Sequence, residues 1–278
     1  MTLAAHTFIA MTHNLWGDRY AAERKPALES LYRVRPPDLL ATQELRAWSR
    51  DAIDSALDDH ERIRDDFPGW ETQSNLWWRR SLFEYEEHGA EDVGILDANA
   101  RLFWVRLRAV GGPSIVFSTA HLTWPGHAVE RDTGVNQRIG QAEKIVGRLS
   151  EIAAGSGCIF TVDINDIGGA NWAFGNGGFL DTFSALHRHS PATHPVIPSG
   201  FDEQIGTGMS PLASPAKAID WIFFRGPLAS RSSEVVEFFD RGVAPSDHSP
   251  VVATLTLAVT PTEDPAPQSS QSTEMEYR

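Results

Sequence analysis

Apolar residues recur along the chain in short bursts, some alternating with polar positions and some unbroken. Bounded by turn residues, they predict β-strands at about 6–15, 38–42, 70–78, 101–109, 114–122, 158–165, 219–225 and 249–259. A helical period is clearest over 137–153, where Ile139, Ala142, Ile145, Val146, Leu149 and Ile152 share one face, and weaker over 20–34 and 50–57. Ser49 suits the N-cap of the 50–57 helix, and Gly155 falls just past the end of the longest one. Two stretches read as long loops, 164–178 rich in Gly and Asn, and 187–218 with five prolines. Long loops in compact domains are often functional. From Thr260 the chain carries almost no apolar residues, so a folded unit over 1–259 and a disordered tail over 260–278 are expected. Many strands, few helices and no Gly-rich phosphate loop between a strand and a helix favour helices layered on mixed sheets over a doubly wound nucleotide fold.

The composition, 41% hydrophobic and 22% charged, is that of a folded globular chain. No apolar run approaches the ~20 residues that cross a bilayer, and the first ten residues have no basic segment ahead of an apolar one, so a cytoplasmic, non-secreted protein is expected. Cys158 is the sole cysteine and sits in an apolar run, which reads as a buried core thiol. The net charge of −13 opposes non-specific attraction to phosphate backbones and argues against a long-DNA substrate.

Polar, ionisable residues recur where apolar strands end, which is where open α/β architectures bind ligands. They are Asn14 in HNLWG, Gln43-Glu44 after LLAT, His121 in STAHL, Asp163 and Asn165 in FTVDIND, Asp220 in AIDWIFF, and Asp247-His248 in SDHSPVV. Taken singly, most also fit structural roles: Asn14 shaping a turn, Glu44 opening a solvated loop, His121 as a satisfied strand-end histidine, Asp247 capping a turn. Asp163 and Asn165 flank Ile164 on one strand face, and Asp220 adjoins the apolar run Trp221-Ile222-Phe223-Phe224. Burying such groups without partners is costly, which favours a function for them.

In this order the series resembles the endonuclease/exonuclease/phosphatase superfamily, which includes DNase I-like nucleases, apurinic endonucleases, neutral sphingomyelinases and inositol-polyphosphate phosphatases. The resemblance spans roughly residues 6 to 257, with secondary similarities at Asn75 in SNLWWRR and at Arg138 and Gln141 opening the long helix. Val162-Asp163-Ile164-Asn165 stands where the family usually has Gly-Asp-Phe-Asn. The stretch Trp77-Trp78-Arg79-Arg80 lacks the glutamate that supports the matching histidine in the DNase I branch. The resemblance implies a four-layered α/β sandwich, two mostly antiparallel sheets face to face with helices outside, and a catalytic domain over 1–259.

It also implies a Mg²⁺-dependent phosphoesterase in which Mn²⁺ substitutes. Glu44, with Asn14 and Asp247, would hold the ion. Asp163 would act as general base, and Asn165 and His121 would donate to the phosphate. His248 would be kept cationic by Asp220. A small-molecule or lipid-headgroup ester is the favoured substrate, because the candidate loops 122–136 and 166–218 contain only Arg131, Arg188 and Lys217 as basic residues. The competing readings are a nuclease acting on DNA or RNA, and a non-catalytic binding module of the same fold. A metal-free hydrolase is disfavoured, since no GxSxG elbow is present. Most of the nine tryptophans read as packing; Trp124, after His121, and Trp172, in the loop after Asn165, are best placed to touch substrate.

Overall fold

Leu39 and Ala41 pack inward between two sheets while Leu40, between them, packs outward against helices, and this alternation along one strand sets the architecture. The computed structural model describes residues 5–196 and 216–258. Among these residues the first sheet has the order β11 (Leu228–Val235), β12 (Val251–Ala258), β1 (Ala5–Asn14), β2 (Leu39–Gln43), β4 (Leu76–Arg79), β3 (His60–Arg62). The second has the order β5 (Phe83–Glu91), β6 (Leu102–Ala109), β7 (Ser114–His121), β8 (Gly157–Asp163), β10 (Asp220–Arg225), β9 (Leu180–Asp181). Each sheet holds one parallel pair, β1–β2 and β7–β8, and the remaining neighbours run antiparallel.

The sheets bury a shared core of Phe8, Ala10, Leu39, Ala41, Phe103, Val105, Ile115, Phe117 and Ile159. Burying each large member contributes roughly 1.5–3 kcal/mol. Helices α1 (Ala21–Val34) and α2 (Ala47–Ala56) cover the outer face of the first sheet through Leu28, Leu31, Ala52 and Ile53. Helices α5 (Gln137–Ala153) and α6 (Gly169–Asn176) cover the second through Ala142, Ile145, Leu149, Ala170 and Phe174. The result is the expected four-layered α/β sandwich. No helix among the described residues is long and apolar enough to cross a membrane.

Several local expectations change. The strand expected at 70–78 is the short helix α3 (Gly69–Thr72) followed by β4. Asn75 separates them, its amide donating to Ile63 O and Trp70 O at 3.0 and 2.8 Å. The stretch 164–178 is not all loop, because the Asp166 carboxylate accepts from the backbone N–H groups of Ile167, Gly168 and Ala170 and starts α6. α2 begins at Ala47, so Ser49 lies inside its first turn, where its hydroxyl accepts from Arg46 N at 3.1 Å. Gly155 does lie past α5, directly after the left-handed C-cap Ala154. The short helix α4 (Ala128–Thr133) precedes α5. The boundary at residue 259, the tail 260–278 and the middle of the 187–218 loop lie outside the described residues.

Candidate active site

Strand register brings the ionisable residues together. His121 is the ladder partner of Asp163 across β7–β8, and Asp163 is the partner of Asp220 across β8–β10, so the three stand in a row on neighbouring strands. From the facing sheet, Asn14 ends β1 opposite Gln43 on β2. Asp163, almost fully buried, accepts from Asn14 Nδ2 at 2.9 Å and from Asn165 N at 2.9 Å. Asn14 Nδ2 also donates to Glu44 Oε1 at 3.1 Å, so one amide spans two carboxylates. His121 Nε2 lies 3.5 Å from Asp163 Oδ2 and 2.9 Å from Asn165 Nδ2, which also donates to Leu122 O. His248 Nδ1 lies 2.9 Å from Asp220 Oδ2 and 3.9 Å from Asp163 Oδ2.

A second tier fixes these groups. Gln43 is buried and donates to Thr12 on its own sheet and to Thr119 on the other, at 3.0 and 2.8 Å, tying the two layers beneath the site. Arg24, fully buried on α1, donates to Leu15 O and Pro245 O and so braces the segments carrying Asn14 and Asp247. Its guanidinium lies over the rings of Trp16 and Trp48. Ser246 Oγ donates to Asn14 O at 2.7 Å and accepts from His248 N at 3.2 Å. Thr193 Oγ1 accepts from Ile219 N and Asp220 N at 3.1 and 3.2 Å. Glu44 holds φ 53° and Asn165 φ 48°, left-handed backbone that Asn tolerates and Glu adopts only when its surroundings impose it.

Burial and the nearby Asp220 raise the Asp163 pKa above the usual carboxylate range, which makes it a stronger base. Burial works against charge on Asp220 too, but the attraction and hydrogen bond of His248 outweigh it and hold that carboxyl below its ordinary value. His248 is raised well above an ordinary imidazole: burial opposes its charge, while Asp220, Asp247 and Asp163 together favour it. The donor set fits a divalent cation. Glu44 and Asp163 converge on one neutral amide, and Asp247 lines the same opening. Among the described residues Asn14 Oδ1 accepts from Trp16 N at 3.0 Å, and a carbonyl oxygen has a second lone pair that an ion could use.

A cleft of about 760 Å³ is lined by Glu44, His121, Asp163, Asn165, Asp247 and His248 of the expected residues, while Asn14 and Asp220 lie buried beneath it. Trp124 lines the cleft as expected; Trp172 is exposed on α6 and is not part of its wall. Asn75 is a backbone clamp away from the cleft wall. Sequence reasoning missed His194, whose ring lies 4.4 Å from that of His248 and whose Nε2 is 3.6 Å from Asp247 Oδ2. Its only signal was its place in a long loop. A second cleft of similar size, lined by His60, Arg62, Trp78, Tyr85 and His88, holds none of the expected residues.

The family model of the endonuclease/exonuclease/phosphatase family matches residues 11–248. Among solved structures, D. rerio TDP2 complexed with a single-strand DNA product aligns with TM-score 0.72 and 18% identity, covering 90% of this chain and 98% of that one. A Bacteroides thetaiotaomicron mannosyl-6-phosphatase aligns with TM-score 0.68 and 17% identity over 89% and 99%. An endonuclease/exonuclease/phosphatase from Bacteroides vulgatus gives TM-score 0.70 and 16% identity over 91% and 99%. At these identities the structures share the fold. No curated protein matches the chain significantly. The family match covers most of the sequence, and the chain belongs to the endonuclease/exonuclease/phosphatase family, a metal-dependent hydrolase of phosphate ester bonds.

Proposed function

We propose that the protein hydrolyses small phosphate esters, of a soluble molecule or a lipid headgroup, with Mg²⁺ as the ion and Mn²⁺ able to replace it. The observation that carries this reading is Asp163: a buried carboxylate of raised pKa between His121 and Asp220 in the strand ladder, at the floor of the cleft. In this reading Asp163 takes the proton of the attacking water. His248, oriented through Nδ1 by Asp220, presents Nε2–H to the phosphoryl oxygens and stabilises their charge. Asn165 directs its amide hydrogens to His121 Nε2 and Leu122 O. In the Nε2–H tautomer of His121 the first of these bonds is absent, and both side chains could then donate to the phosphate. Glu44, Asn14 and Asp247 would hold the ion, which when bound supplies Lewis acidity to the ester oxygens.

A nuclease is the competing reading, motivated by the fold shared with a protein solved with DNA. The charge of the cleft disfavours it. Arg46 pairs with Asp18 and Arg138 with Glu130, while Glu44, Asp97, Asp163, Asp166 and Asp247 all line the wall. The test is turnover of bis-p-nitrophenyl phosphate, p-nitrophenyl phosphate, sphingomyelin, supercoiled DNA and RNA, each with Mg²⁺ and with chelator. Chelator-sensitive hydrolysis of one of the first three, well above that of the polymers, is expected. Faster turnover of DNA or RNA would overturn the small-ester reading.

A further inference from the structure

Trp124 and Ile167 stand half to three-quarters exposed, at 50% and 76%, on the loops that follow His121 and Asn165, and both line the cleft. Those loops are neighbours, because β7 and β8 pair in parallel and Asn165 reaches across to Leu122 O. Single exposed apolar residues are ordinary; two at the mouth of one cleft, beside Pro125, form an apolar rim next to a polar floor.

The rim is held in place. Thr123, directly before Trp124, accepts at its carbonyl from Arg138 Nη1 at 2.9 Å, and its N–H donates to Gln141 Oε1 at 3.2 Å. Its hydroxyl accepts from Gln141 Nε2 and Leu96 N at 2.7 and 3.1 Å. Arg138 in turn pairs with Glu130 on α4. The turn closes with His127 N donating to Trp124 O at 3.1 Å. Within it the edge of the indole abuts Gly126, where a Cβ would collide with the ring carbon Cζ3. The facing loop is pinned by Asp166, which accepts from Ile167 N and from Asn136 Nδ2 at 2.7 and 3.2 Å.

We infer that this rim is a subsite for a planar group of the substrate, an aryl ring or a nucleobase, which stacks on Trp124 while the phosphate sits over Asp163. The inference rests on the phosphoesterase reading for the position of the phosphate. It makes Trp124 a specificity-determining residue, Gly126 the surface that sets its ring, and Arg138 and Gln141 the residues that position the loop. A preorganised aromatic surface gives up little conformational entropy on binding, and stacking on such side chains changes affinity by roughly ten- to a hundredfold per ring.

Calorimetry in Mg²⁺ buffer separates this subsite from turnover, using two phosphonate pairs of matched charge that offer no ester bond to cleave: phenylphosphonate against methylphosphonate, and the 5′-methylenephosphonate of thymidine against that of ribose. The wild-type protein is expected to prefer the planar member of at least one pair by about tenfold or more, and which pair responds identifies the source of the ring. Trp124→Ala should bring that ratio near one, and Trp124→Phe should keep part of it. Gly126→Ala keeps the indole but forces it off its seat, so it should lose the preference as well while melting like the wild type. Equal affinities within both wild-type pairs, or a preference that survives both Trp124→Ala and Gly126→Ala, would overturn the inference. Planar preference without hydrolysis of any ester would leave the subsite standing and count against the hydrolytic reading alone.

Discussion

Asp220 Oδ2 lies 2.9 Å from His248 Nδ1, both side chains nearly buried, so the imidazole is oriented by a carboxylate whose own position is set by the β8–β10 ladder. Each favours the charged form of the other against the cost of burial. Groups coupled this closely act as a unit. Asp220→Ala and His248→Ala should each lower kcat by at least ~10²-fold, and the double variant should be scarcely worse than the more damaging single. Asp220→Asn, which spares the fold an empty pocket, checks that the loss is one of charge. Clean additivity in kcat would count against the pair.

Asp163 is tested by the smallest possible change. Asp163→Asn keeps the shape and can still receive the Asn165 backbone N–H, but it cannot take a proton from water. Turnover should fall at least ~10²-fold with little change in melting temperature. Near wild-type kcat with an intact melting profile would remove Asp163 from the role of base.

Much of this site was legible because chemistry interrupts pattern. Asp163 in FTVDIND and Asp220 in AIDWIFF are acids set against apolar runs, and only a paired or functional carboxylate belongs there. The central strands were legible for the same reason, since β1, β2, β7, β8 and β10 are buried and apolar. Edge strands were not: β3, β5 and β11 carry exposed charges such as Glu61, Glu84 and Arg231, which blur any period. α6 was hidden by its glycines, and its start depends on Asp166, whose capping bonds look like loop chemistry in sequence. Arg24 and His194 act through long-range contacts, with Pro245 and Asp247, that no local spacing encodes.

Glu44 offers a test of the ion. Its backbone is held at φ 53° so that its carboxylate meets the Asn14 amide. Removing one hard-oxygen donor from a weakly held divalent ion weakens binding without abolishing it. Glu44→Ala should therefore need far more Mg²⁺ for half-maximal activity and recover part of its turnover at high Mg²⁺. Full activity of the wild type in excess chelator would refute metal dependence through this residue.

Cys158 gives a pH prediction remote from the cleft. Burial in β8 pushes its thiol up to about 12 from 9.0. The folded pKa is raised, so the folded state holds the proton more tightly. That stabilisation is complete below pH 9 and is lost as pH rises toward 12, by up to about 1.4 kcal/mol per pH unit. Stability measured by urea unfolding from pH 8 to 10.5 should fall more steeply for the wild type than for Cys158→Ala, where other groups titrate equally. Parallel curves would mean that the thiol ionises as readily folded as unfolded.

The charge of the cleft predicts how the enzyme treats polymers. A protein that grips several backbone phosphates releases counterions, and its affinity for duplex DNA falls with salt at a slope of about −0.9 per phosphate. Here the net charge is −13, and the two arginines of the cleft wall already pair with acids. Lys217 is the remaining Lys or Arg among the described wall residues, so one or two phosphate contacts are the most this surface supplies. Duplex binding should be weak with a shallow salt slope. A small ester, held mainly by the ion and the Asp163–His248 floor, should keep most of its kcat/KM between low and physiological salt. The measurement is kcat/KM for both substrates, with the duplex Kd, across a salt titration at saturating Mg²⁺. A duplex slope steeper than about −4 would require several phosphates to be gripped at once, and the small-ester reading would give way to a nuclease.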